Sequence, residues 1–231
     1  IDRGYSVGDE VVYLQSDPVY GGATKKLTWR VTKVDLDADR VEINDGFIVL
    51  DSMGNPLVWD GATYEPRLQA IPAEVQVGKR WTTRFRFARG AERSESYYNY
   101  VVVARERVKL PFGEIEAFRI DGDGFNSFGA RLTIRHWLVP GVNYSLRTDT
   151  IRYDGRSLRA QYAERREMVS FRQMRWRQAC AWCVPARVSA FGFRDDRLDV
   201  DVEVDVVAQE ETARVEGLVP RDPEVLAVHL A

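Results

Sequence analysis

Between Val108 and Val142 the chain reads V-K-L-P-F-G-E-I-E-A-F-R-I, then a glycine-broken passage, then R-H-W-L-V-P-G-V. Pro111–Gly113 separates two runs in which apolar and polar residues alternate, and Pro140-Gly141 closes a third. Proline presets the φ of a turn's second position, and glycine takes the positive φ that other residues resist. Successive side chains of a strand point to opposite faces. Alternation on both sides of a tight turn is therefore the pattern of an antiparallel β-hairpin. The stretch fixes a β-rich architecture and names no reaction.

The same pattern recurs along the chain. Lys26–Val34 places Leu27, Trp29 and Val31 on one face and Lys26, Thr28 and Arg30 on the other. Arg40–Asn44, Phe47–Asp51 and Pro56–Trp59 read as strands around a turn at Ser52–Asn55, and 60–75 reads as a connector. Trp81–Phe87, Tyr98–Ala104, Ile115–Ile120 and Leu132–Trp137 supply further strands. Val77-Gly78-Lys79-Arg80-Trp81 echoes Val7-Gly8-Asp9-Glu10-Val11 seventy positions earlier, which fits either a duplication or the chance recurrence of a Val-Gly turn before a strand. The expected organisation is a β module over 1–74, a second over 75–171 and a less regular segment over 172–231. The expected fold is mostly β: an antiparallel curved sheet, sandwich or open barrel, with two similar modules as one arrangement. Residues 158–183 are compatible with either helix or strand, since Arg, Glu, Gln, Ala and Met favour helix but form no clean apolar stripe.

Residues 110–120 resemble a family of uncharacterised secreted bacterial β-proteins, a domain of unknown function whose signature runs V-P-A-G-T-F-x-A-x-R-I and then W-Y-x-P-G-x-G. Leu110, Pro111, Gly113, Ile115, Ala117, Arg119 and Ile120 match the first half, and Trp137, Pro140 and Gly141 the second. Phe112, Glu114, Leu138 and Asn143 depart from it. The resemblance spans roughly 75–171. It implies an antiparallel β fold and a periplasmic or secreted location, and offers no catalytic residues to carry over. With Ile1 rather than Met at its start, a segment upstream is expected, a signal peptide or a membrane anchor among the candidates.

The residues that could carry chemistry are few. A formal net charge of −2 gives no reason to expect nucleic acid or an anionic membrane as partner. No apolar run is long enough for a transmembrane helix. Cys180 and Cys183 have the spacing of a redox dithiol but lack the βαβ setting such sites use, so a structural pair or local disulfide is expected. Zinc would need two further ligands, with only His136 and His229 to offer, and no metal or cofactor is expected. Asp121-Gly122-Asp123-Gly124-Phe125-Asn126 has the look of a calcium loop, but its twelfth position is Leu132 rather than Glu, so a polar turn is expected. Asp199, Asp201, Glu203 and Asp205 alternate with Val200, Val202, Val204 and Val206, the pattern of a strand with a solvated acidic face. Familiar hydrolase and nucleotide motifs are absent, and Glu114 and Glu116 share a face only as any i, i+2 pair on a strand does.

Aromatic residues remain. Most at alternating strand positions build core, and Trp29 is expected there. Tyr98, Tyr100, Trp81 and Trp137 are the candidate ligand-binding residues, on strands where a ring can stack. The expected role is a non-catalytic envelope or secreted module that binds an apolar or glycan ligand, or a protein partner. A carboxylate-based hydrolase in a β cleft and a structural subunit of an envelope assembly are the rival classes. An enclosed cavity, a cleft with convergent ionisable groups and a flat apolar patch would tell the three apart.

Overall fold

The computed structural model describes residues 4–157 and 159–174, with the backbone of two short strands at 193–194 and 197–199. The strands are β1 (Glu10–Ser16), β2 (Lys25–Asp35), β3 (Arg40–Ile43), β4 (Ile48–Leu50), β5 (Pro56–Trp59) and β6 (Ala62–Glu65). They continue as β7 (Arg80–Arg89), β8 (Glu92–Leu110), β9 (Gly113–Asn126), β10 (Arg131–Leu138), β11 (Arg147–Tyr153) and β12 (Ala160–Gln173). β13 (Phe193–Arg194) and β14 (Arg197–Asp199) follow, β14 pairing with the end of β12. No helix occurs among the described residues.

From β1 to β12 each strand pairs antiparallel with the next in sequence, and β1 then pairs with β12. The meander thus closes on itself as a twelve-stranded barrel. The closing seam runs from Glu10 opposite Arg172 to Ser16 opposite Arg165, with a bulge at Val12/Tyr13. Closure satisfies the backbone groups that an open sheet would leave bare at its edges.

Two turns of the same construction start the two halves, β1–β6 and β7–β12. Asp9 N donates to Ser6 O, and Lys79 N to Gln76 O, each at 3.0 Å. Gly8 and Gly78 hold φ of 94° and 90° in these turns, conformations that side-chain-bearing residues resist. Gly8 N donates to Val31 O at 2.9 Å and Gly78 N to Val102 O at 2.8 Å. Each receiving strand then bulges, between Val31 and Lys33 in β2 and between Val102 and Ala104 in β8. β6 pairs with β7 through Thr63–Glu65 and Arg86–Ala88, so the sheet continues from one half into the other.

The charged face of the alternating strands is outside. On β7, Arg80, Arg84 and Arg86 are exposed while Thr83, Phe85 and Phe87 are buried. β8 repeats this with Ser94, Ser96, Tyr98, Tyr100 and Val102 inward. This polarity is the inverse of a membrane-spanning barrel, whose outer band is apolar.

Because successive strands run up and down, the connectors after β2, β4, β6, β8 and β10 share one end with the residues before β1. That end is filled. Ile71 N donates to Asn55 Oδ1 at 2.7 Å, Asn55 Nδ2 donates to Ile71 O at 3.2 Å, and the Tyr5 hydroxyl donates to Asn143 O at 2.9 Å. A Cβ on Gly54 would lie 2.8 Å from that same hydroxyl, so three connectors and the N-terminal segment interlock without slack. Buried Asp9 anchors the segment, accepting from Ser6 N, Met174 N and Asn143 Nδ2. Burial raises its pKa, against these hydrogen bonds.

The expected turns at Ser52–Asn55, Pro111–Gly113 and Pro140–Gly141 form. The helix-or-strand ambiguity of 158–183 resolves as strand over Ala160–Gln173. Asp121–Asn126 is not a turn: it lies within β9, and the turn comes after it at 127–130. Cys180 and Cys183, and the side chains of Asp199–Val206, lie outside the described residues.

Candidate ligand-binding cavity

The inward faces line a partly open cavity of about 190 Å³. One wall is aromatic, with Trp29, Trp59, Tyr64, Phe85, Tyr98 and Tyr100 from β2 and β5–β8. The other is polar, with Thr148, Thr150 and Arg152 of β11 and Tyr162, Glu164 and Arg166 of β12. Leu68, Ala70 and Ile71 of the β6–β7 connector bound it at the filled end.

The aromatic wall is held by ring-on-ring contacts. Trp29 lies 4.8 Å from Tyr13 and 5.1 Å, edge-on, from Trp59. Tyr98 lies 5.4 Å from Phe85 and 6.2 Å from Tyr100. Tyr98 and Tyr100 lie flat because their cross-strand partners on β9 are Gly124 and Gly122. A Cβ on Gly124 would come within 1.7 Å of Tyr98 Cδ1, and one on Gly122 within 2.4 Å of Tyr100 Cε1. The Asp-Gly-Asp-Gly run is thus a strand whose glycines make room for rings. Its aspartates point outward, Asp121 to Arg119 at 3.1 Å and Asp123 to Arg131 at 2.8 Å. Among the described residues no cluster of His, Cys, Asp or Glu is arranged to hold a metal ion.

The polar wall centres on Glu164, which is 5% exposed. Arg166 pairs with it at 2.5 Å, Gln15 Nε2 donates to it at 3.0 Å, and the Tyr162 hydroxyl donates to it as well. The Arg166 guanidinium lies over the faces of Trp29 and Trp59, 5.2 and 4.8 Å from their centroids, joining the two walls. Nearby, His136 Nδ1 is 3.4 Å from the hydroxyls of Ser145 and Thr148. Burial pushes the phenols up: Tyr98 to about 12, against its hydrogen bond to Ser96 and the charge of Arg152, and Tyr64 and Tyr100 well above their ordinary range. They remain neutral hydroxyls at any physiological pH.

The four candidate aromatics separate. Tyr98 and Tyr100 line the cavity. Trp81 stacks behind Tyr100 at 5.3 Å and 15°, its indole donating to Gln69 O at 2.9 Å, and so backs the wall without lining it. Trp137 lies apart in the apolar cluster with Val108, Leu110 and Ala117, its indole donating to Glu106 at 2.7 Å beneath the Arg147 guanidinium. Glu114 and Glu116 are exposed and pair with Arg107 and Arg105. The sequence reading missed Trp59, Tyr64 and the whole polar wall. Inward Thr150, Arg152, Glu164 and Arg166 have the composition of an outer face, and only their i, i+2 spacing on β11 and β12 hints that they act together.

No known protein family and no curated protein matches the chain. Similar solved structures include the hypothetical lipoprotein YmcC of Escherichia coli, 9% identical with a TM-score of 0.45 over 69% of this chain and 83% of that one. A lipoprotein candidate of Parabacteroides distasonis is 10% identical at 0.43, over 71% of this chain and 94% of its own. An exported-protein candidate of Bacteroides fragilis with a YmcC-like fold is 12% identical at 0.41, over 71% and 95%. At this distance the likenesses transmit no function.

Proposed function

We propose that the barrel is a non-catalytic binding module of the bacterial envelope or a secreted one, holding a ring-sized amphiphilic group such as one sugar unit in its interior. The observation that carries this is the interior cavity with one aromatic and one polar wall. Its 190 Å³ is somewhat more than the roughly 150 Å³ cavity that accepts benzene, which suits a single six-membered ring. A purely apolar guest would have no use for Glu164, Arg152 and the threonines. A sugar ring offers a C–H face to stack on Trp29, Trp59 or Tyr98 and hydroxyls for the opposite wall. Glu164 is the only carboxylate lining the cavity among the described residues, and it is spent on Arg166. A two-carboxylate hydrolytic mechanism therefore lacks its second member there. The envelope location rests on the motif resemblance over 110–141. The repeated turns at Ser6–Asp9 and Gln76–Lys79 support reading the halves as duplicated modules.

Trp29 and Trp59 make the test direct, since both line the cavity. Titration of the purified chain with monosaccharides should change tryptophan fluorescence saturably. Thr150→Phe, which places a ring inside the cavity, should abolish the response while leaving the melting transition cooperative. Equal responses from the filled variant and the wild type would refute an interior site.

A further inference from the structure

The charges inside the barrel do not balance. Arg131 borders the cavity, but both oxygens of Asp123 hold its guanidinium, at 2.8 and 3.0 Å. Arg166 is matched by Glu164. The guanidinium of Arg152, a half-buried residue that also lines the cavity, makes no ion pair or hydrogen bond with any described residue. Arg152 shares this lining with Tyr98, whose phenol feels its charge. Thr150, two residues earlier on the same strand face, and Ser94 and Ser96 on β8 line the same space. A cation drawn out of water without a partner is costly, and the neighbours here offer hydroxyls rather than a carboxylate. The planar guanidinium fork matches a carboxylate or a phosphate.

We propose that Arg152 is the anion-recognising residue of the cavity, seating one carboxylate or phosphate group carried by the bound ring. This rests on the reading of the barrel interior as a binding site, and it narrows the ligand from a neutral sugar unit to an acidic or phosphorylated one. With Glu164 committed to Arg166, the guest's own negative charge supplies the missing partner.

Calorimetric titration of the full chain with glucuronate, glucose phosphate and glucose tests it, on wild type, Arg152→Gln and Arg152→Lys. The wild type should bind at least one anionic sugar about tenfold more tightly than glucose, the margin expected of a charge-assisted pair. Arg152→Gln should erase that margin, so that the variant binds the anionic sugars no more tightly than it binds glucose, and Arg152→Lys should restore part of it. Comparing the glucuronate and phosphate arms separates the two anion chemistries. A margin unchanged in Arg152→Gln, or no preference for either anion in the wild type, overturns the proposal. Glucose binding that persists in those cases leaves the ring site standing, whereas silence toward all three sugars removes the sugar reading as well. Thermal unfolding of each variant separates lost binding from lost fold.

Discussion

Gly124→Ala tests whether the aromatic wall is set by the glycines opposite it. The added Cβ would sit 1.7 Å from Tyr98 Cδ1, 2.5 Å from its Cε1 and 2.2 Å from the Tyr97 carbonyl oxygen. Carbon atoms rest at about 3.5–4.0 Å, so the ring must retreat by roughly 2 Å. The carbonyl belongs to the paired strand and can move only with the backbone. Opposing this, Ala in an ordinary strand conformation is favoured over Gly by about 0.5–1 kcal/mol. Overpacking costs about 1–3 kcal/mol. Displacing Tyr98 also weakens its contacts with Phe85 and Tyr100, at about 0.5–1.5 kcal/mol each. The clash wins, with a net loss of about 3 kcal/mol, or a Tm lower by roughly 6–12 °C for a domain of this size. Gly122→Ala should cost about half as much, since its close contacts are all with side chains, Tyr100 and Ile134. Urea unfolding measures both. In a Tyr98→Ala background the Gly124→Ala penalty should shrink by more than about 1 kcal/mol without vanishing, because the Tyr97 carbonyl remains. A Gly124→Ala protein as stable as wild type, or one whose penalty ignores Tyr98, would refute the reasoning.

Two further outcomes concern charge. Arg166→Met should destabilise the fold by about 3 kcal/mol, because it leaves Glu164 buried without its cation; Glu164→Gln should cost less, since the guanidinium keeps its two indole faces. Urea unfolding that reverses this order would contradict the pairing described. Asp149 is buried, which works against its ionisation, but hydrogen bonds and charge from Arg147 and Arg165 outweigh this and hold its pKa low. A depressed folded pKa gives stability that is present above the unfolded value, near pH 4, and lost as pH falls through the folded value. Asp149→Asn should therefore be destabilising at neutral pH, with its deficit relative to wild type narrowing in melts taken below about pH 4.

The sequence was most readable where one face met core and the other met water. On β7 and β8 the alternation assigns Phe85, Phe87, Tyr98, Tyr100 and Val102 to one side, and the structure buries that side. Four things hid from it. A bulge between Val102 and Ala104 shifts the register of β8 against β9 midway, and no alternation count can detect it because the even-numbered positions of β8 are the buried ones on both sides of it. In β9, a strand face made of glycine looks like a loop until the rings that fill it are seen on the neighbouring strand. The polar wall was hidden for a related reason. Arg152, Glu164 and Arg166 point into a cavity rather than a packed core, so their hydrophilicity reads as exposure. Closure itself was invisible, because β1 and β12 meet across some 150 residues of chain and neither carries a mark of its partner.

That seam bears on the order of events in folding. Every other pairing from β1 to β12 joins strands that are neighbours in sequence, so each closes a far shorter stretch of chain than the seam does. The seam alone must gather the two ends of the meander, and the entropic cost of that gathering places it late. Gln15, from β1, meets Glu164, from β12, only across this seam. The polar wall, itself carried by the local β11–β12 pair, therefore closes against β1 last. Until it does, a guest finds an open sheet with rings on one face and no floor. Whatever binds inside draws its affinity from the closed form alone, and so acts as a latch on the seam that folding closes last.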